Sequence, residues 1–82
     1  MSTSLTTEQI RGARAMLGWT ANDLAERSGI AVSTIRRIEV QIGRPECHPR
    51  TLMDMQRAFE AAGIEFIGSP EDGPGMRLRL NQ

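Results

Sequence analysis

The 82-residue chain has no lysine and no tyrosine, and only one cysteine, one histidine and one tryptophan. A single cysteine cannot form an internal disulfide, so the fold does not depend on an oxidising compartment. One cysteine and one histidine also fall short of the three or four ligands a zinc site takes. Cys47 and His48 are adjacent, but a catalytic dyad needs partners brought together by the fold rather than neighbours along the chain. With no tyrosine, the chain lacks the several aromatics on which single-stranded binders stack bases, and Trp19 reads as an inter-helix residue. No apolar run approaches the ~18 residues of a membrane span. The opening Met1-Ser2-Thr3-Ser4-Leu5 has no basic region leading into an apolar stretch, so no secretory leader is read. The expectation is a cytoplasmic module without membrane contact. Ten arginines balance ten aspartates and glutamates for a formal net charge of zero, which excludes a histone-like polycation and an acidic tail. No paired titratable groups stand at useful spacing, so neither an enzyme nor a cofactor is expected.

The length fits one small domain, and an apolar fraction of 39% supplies a modest core. Charge is unevenly placed. Residues 31–50 carry Arg36, Arg37, Arg44 and Arg50 against Glu39 and Glu46, whereas residues 51–75 carry Arg57 against Asp54, Glu60, Glu65, Glu71 and Asp72. Four helices follow from period and caps. Thr6 with Gln9 makes a capping box, Leu5 and Ile10 a hydrophobic staple, and Gly18 an end signal. Thr20 with Asp23 opens a second helix that stops at Ser28-Gly29. A third starts near Ala31 with Ile35 and Ile38 inward, and a fourth runs from about Pro49 to Ala62 with Leu52, Met55 and Phe59 inward. His48 is a candidate cap for that fourth helix, and Met16, Met53 and Met55 read as core filler. The tail then changes period. Residues 64–67 and 76–80 alternate like strands, separated by the Gly/Pro-rich stretch 68–75, which reads as a loop.

The informative unit is residues 20–39: a short helix, a turn containing Gly29, and a second short helix. Ala25 lets the two helices approach closely, and Gly29 permits positive φ between them. With Ile30, Ile35 and Ile38 anchored, Val32, Ser33, Arg36 and Arg37 fall on the other face, a probe of major-groove width. The residues Leu17-Gly18-Trp19-Thr20, Asp23-Leu24-Ala25, Ser28-Gly29-Ile30, Ser33-Thr34-Ile35 and Ile38-Glu39 resemble the Cro/C1-type helix-turn-helix family, also called the XRE family. The resemblance covers about residues 6–67. It implies a mainly α fold, a lambda-repressor-like helix-turn-helix domain of four to five helices over residues 1–67. The short C-terminal strand pair of residues 64–82 is added as a dimerisation element.

What the resemblance implies for function is a sequence-specific DNA-binding transcriptional regulator, a repressor, acting as a homodimer on a palindromic operator. Base contacts are assigned to Val32, Ser33, Arg36 and Arg37. Phosphate contacts fall to Thr20, Asn22, Thr34, Arg44 and Arg50. Arg14 and Glu39 are assigned as a structural ion pair joining helix 1 to the end of helix 3. Separately, the strand residues Ile64, Phe66, Met76, Leu78 and Leu80 make a sheet too small to stand alone in a monomer, and are expected at a dimer interface. The partners expected are therefore double-stranded DNA and a second copy. A regulatory protein is the alternative, with the chain as an anti-activator or antitoxin-like adaptor. The neutral charge, Val32 on the probe face, and Ala21 where the family usually has glutamine all motivate that alternative.

Overall fold

The computed structural model describes residues 5–79 and shows four helices followed by a β-hairpin. The elements are α1 (Thr7–Leu17), α2 (Ala21–Ser28), α3 (Val32–Glu39), α4 (Pro49–Ala61), β1 (Ile64–Ser69) and β2 (Asp72–Leu78). Local chemistry sets the helix ends. The Thr6 side chain accepts from the Gln9 backbone N–H while Gln9 accepts from the Thr6 N–H, and Thr20 with Asp23 repeats the arrangement on α2. Gly18 and Gly29 close these helices in the left-handed region, at φ 68° and 75°. Pro49 sits at the start of α4, where its missing N–H costs nothing, and His48 Nδ1 accepts from the Arg50 N–H.

Leu5, Ile10, Ala13, Leu24, Ile35, Ile38, Met55, Ala58, Phe59 and Ile64 form one buried cluster. Phe59 joins its halves: Trp19 stacks on it at 5.7 Å between ring centroids, and Phe66 of the hairpin meets it edge-on at 5.9 Å. The indole of Trp19 also lies under the Arg27 guanidinium, 4.9 Å from its centroid. Trp19 thus packs between helices, as its sequence context suggests.

The tail departs from the expected layout in two ways. First, residues 68–75 are mostly strand: β1 runs to Ser69, β2 begins at Asp72, and only Pro70 and Glu71 lie between them. Ile67 pairs with Gly75 and Ser69 with Asp72, so Gly73 and Pro74 oppose the single residue Gly68 in a register shift. Pro74 thereby interrupts no ladder pair, which is how a proline fits inside the strand. Second, the hairpin leans on the helices of its own chain: of the apolar residues expected at a dimer interface, Ile64 is buried in the core and Phe66, Met76 and Leu78 are partly buried against it. The pairs Ile64–Leu78 and Phe66–Met76 place these four side chains on one face. Gly12 on α1 makes room for Met76: a Cβ there would stand 2.8 Å from the methionine methyl. Gln9 fastens the same junction, its Nε2 donating to the Gly75 carbonyl at 2.7 Å. Leu80 lies outside the described residues.

Candidate nucleic-acid interface

The site is built on α2, the Gly29 turn and α3. Ile35 and Ile38 anchor α3 with no exposed surface, and Leu24 does the same for α2. On the opposite side of α3, Ser33, Arg36 and Arg37 are exposed. Val32 differs from its expected place. It is half-buried and turns toward α2, lining a shallow open groove with Ala25, Ile30, Ala31, Asn22, Asp23 and Glu26. The reason is the 100° step between neighbouring helical residues: Val32 and Ser33 cannot both point along the Arg36–Arg37 direction. Thr34 is also half-buried, while Thr20 and Asn22 are exposed at the start of α2. The Thr20 hydroxyl oxygen is occupied as the α2 cap.

The N-terminus of α3 has a different character from those of its neighbours. Ala31 provides no side-chain cap, so the first N–H groups of α3 lack the acceptor that threonine gives to α1 and α2. That end carries the positive pole of the helix dipole beside Val32 and Ser33, and it suits an anion.

Pairing among the charges explains how a neutral chain can present a cationic face. Arg11, Arg14, Arg44, Arg77 and Arg79 are matched to Glu8, Glu39, Glu71 and, for the last two, Glu65. Arg36, Arg37 and Arg50 have no carboxylate partner among the described residues. The arginines left unmatched among the described residues include the pair on the outer face of α3.

Arg14 and Glu39 meet through two parallel contacts, Nε to Oε2 and Nη2 to Oε1, both 2.7 Å. The hydrogen bond to Glu39 pushes the Arg14 guanidinium above its ordinary pKa, with burial opposing. Arg14 Nη1 also donates to the Trp19 carbonyl, so one side chain ties α1, the α1–α2 link and the end of α3. Arg44, assigned to phosphate, is instead held by Glu71. Arg50 is exposed in the first turn of α4. Burial raises the pKa of the Cys47 thiol, with the Arg37 charge opposing.

Sequence reasoning missed Glu71, Glu8 and Glu26. Glu71 reaches Arg44 across 27 positions, and the Glu8 carboxylate accepts from the Gly43 N–H across 35. No periodic signal marks such contacts. Glu26 was discoverable, because it falls one helical turn beyond Asn22 on the groove side of α2.

Residues 10–46 match a family model described as helix-turn-helix. No curated protein matches the chain. No helix among the described residues is long and apolar enough to cross a membrane.

Proposed function

Taking as premise a chain whose residues 10–46 form a helix-turn-helix of the Cro/C1 (XRE) type, a DNA-binding regulatory family and not an enzymatic one, we propose that it is a transcriptional repressor. It acts as a cytoplasmic homodimer on a palindromic operator and needs no cofactor. The observation that carries this reading is the exposed Ser33–Arg36–Arg37 face, its arginines without a carboxylate partner among the described residues, beside the uncapped start of α3. Inserted in a major groove, Arg37 forks onto guanine O6 and N7, a contact worth about 1–3 kcal/mol of discrimination. Arg36 and Ser33 reach neighbouring base edges, and Val32 receives a thymine methyl at the mouth of its groove. Thr20, Asn22, Thr34 and Arg50 hold the phosphates on either side, and Arg44 joins them once released from Glu71.

A two-fold dimer places its half-sites about one helical turn, ~34 Å, apart. Ile64 is buried against the chain's own helices, and the partly exposed Phe66, Met76 and Leu78, with Leu80 and the outer edges of β1 and β2, are what the hairpin offers a second copy. Light scattering of the full chain checks this: a monomer at concentrations that saturate a duplex site contradicts it.

The test of DNA binding is titration of a labelled duplex at several salt concentrations. Affinity is expected to fall steeply with salt. Arg50→Ala is expected to weaken all sequences alike and flatten the slope by about one unit, whereas Arg37→Ala relaxes preference at one base position. Contacts of only ~10⁻⁴ M at physiological salt, insensitive to Arg37, contradict it.

A second reading has its own observation. Val40 and Ile42, just past α3, are 79% and 86% exposed, two large apolar side chains available to a protein partner. In this reading the chain is an adaptor, of the anti-activator or antitoxin kind, that docks another regulatory protein on the helix-turn-helix surface. Selective loss of partner binding in Ile42→Asp, with duplex affinity intact, would favour it.

A further inference from the structure

The loop between α3 and α4 is fixed by its backbone. The Gly43 carbonyl accepts from the Thr7 N–H at 2.7 Å, and the Gly43 N–H donates to the Glu8 carboxylate. Gln41 Oε1 accepts from the Glu46 N–H at 2.6 Å, bridging the loop from within. Against this frame Arg44 extends from the loop to the tip of the hairpin, where Nε and Nη2 both reach Oε2 of Glu71, at 3.1 and 2.5 Å. Glu71 is one of the two residues between the strands, and both partners are largely exposed, 59% for Arg44 and 68% for Glu71. This pair links the helix-turn-helix body to the hairpin tip by side chains alone.

A guanidinium takes a carboxylate oxygen or a phosphate oxygen in the same fork. We propose that Glu71 occupies on Arg44 the place of a DNA backbone phosphate, so that duplex binding and docking of the hairpin tip compete for one guanidinium. The proposal rests on the DNA-binding reading above and adds a residue that sets its strength. Because the loop backbone is held by Thr7 and Glu8, the exchange needs only a change of side-chain rotamers at Arg44, with no rebuilding of the loop. Glu71 then acts through Arg44 alone, by withdrawing a cation from the phosphates. An exposed pair of this kind is weak enough for a polyanion to displace. The hairpin tip therefore tempers affinity without abolishing it.

The test compares the wild-type chain with E71Q, R44Q, the double variant and D72N on one mixed-sequence duplex of about 30 base pairs, titrated across a salt series. Glu71→Gln is expected to tighten binding about two- to fivefold at low salt and to steepen the salt slope by up to about one unit. Arg44→Gln is expected to weaken binding and to cancel the gain, so that the double variant matches R44Q. Asp72→Asn removes the same charge one residue away, where Asp72 has no arginine partner among the described residues, and is expected to leave affinity unchanged. Circular dichroism of each variant verifies that the helices persist. If E71Q binds as the wild type does while Arg37→Ala still weakens binding, the competition is refuted and the DNA-binding reading stands. If E71Q tightens binding equally in the R44Q background, or D72N does as much, the effect is a general one of net charge and the proposal again fails. Absence of salt-dependent binding by all the chains overturns both readings together.

Discussion

The helical body and the hairpin are each fastened by an arginine–glutamate pair, and the two pairs are built differently. Arg14 and Glu39 use two parallel contacts and retain only 22% and 10% of their side-chain exposure, with a third donor turned to the Trp19 carbonyl. Arg44 and Glu71 place two nitrogens on one oxygen, in water, at 59% and 68% exposure. The same two residue types thus form a sheltered tie in one region and a water-exposed one in the other. A half-buried pair, once broken, strands a charge in a poor solvent, whereas an exposed pair exchanges its partner for water or another anion at small cost.

Mutations that strike both regions, then one, then the other, sharpen this contrast. Phe59→Ala is expected to be the most damaging, about 3–5 kcal/mol in urea unfolding, because the ring carries Trp19 on the helical side and Phe66 on the hairpin side. Probes of the body and the hairpin should lose signal together in that variant; independent transitions would show that the two regions are not one cooperative unit. Glu39→Gln is expected to cost about 3 kcal/mol, since it leaves the Arg14 guanidinium partly buried without its counter-charge. Glu71→Gln, the same change in the exposed pair, is expected to alter stability by less than about 1 kcal/mol. Equal losses for the two variants would break the contrast.

The smallest effect is expected in acid. Hydrogen bonds from the Thr20 backbone and hydroxyl lower the pKa of Asp23, and the hydrogen bond from Arg79, with the charges of Arg79 and Arg77, lowers that of Glu65. In the unfolded chain both bind protons at their ordinary values, 3.8 and 4.5, before the folded chain does. Their contribution is therefore complete above those values and is lost as pH falls through the lower folded ones. In Asp23→Ala and Glu65→Gln, stability measured from pH 6 downward should decline less steeply than in the wild type. Parallel curves for variants and wild type would contradict the assignment.

Much of the helical body was legible because its signals are local. Thr6 with Gln9, Thr20 with Asp23, and Gly29 each act within a few residues, and their geometry follows from backbone donors that need partners. The hairpin was legible as alternation, yet its turn was misplaced. Glycine and proline usually end strands, but here Gly73 and Pro74 are absorbed opposite Gly68 where the register slips. The destination of the alternating face is not set by the pattern. Nothing in Ile64, Phe66, Met76 and Leu78 tells whether helices of the same chain or of another will cover them, and Gly12, the residue that seats Met76, looks in sequence like a weak point of α1. At the site, exposure of Ser33, Arg36 and Arg37 follows from the burial of Ile35 and Ile38. The half-turned Val32 and the capture of Arg44 by Glu71 depend on tertiary neighbours that spacing does not reveal.

On the proposed function, the outer face of α3 reads base pairs. Selection of bound sites from random duplexes, run in parallel on the wild-type chain and on Arg37→Ala, tests it most directly. A symmetric enriched sequence is expected for the wild type, and the same sequence relaxed at one position in each half-site for the variant. No enrichment, or an enriched sequence that Arg37→Ala leaves unchanged, would contradict it.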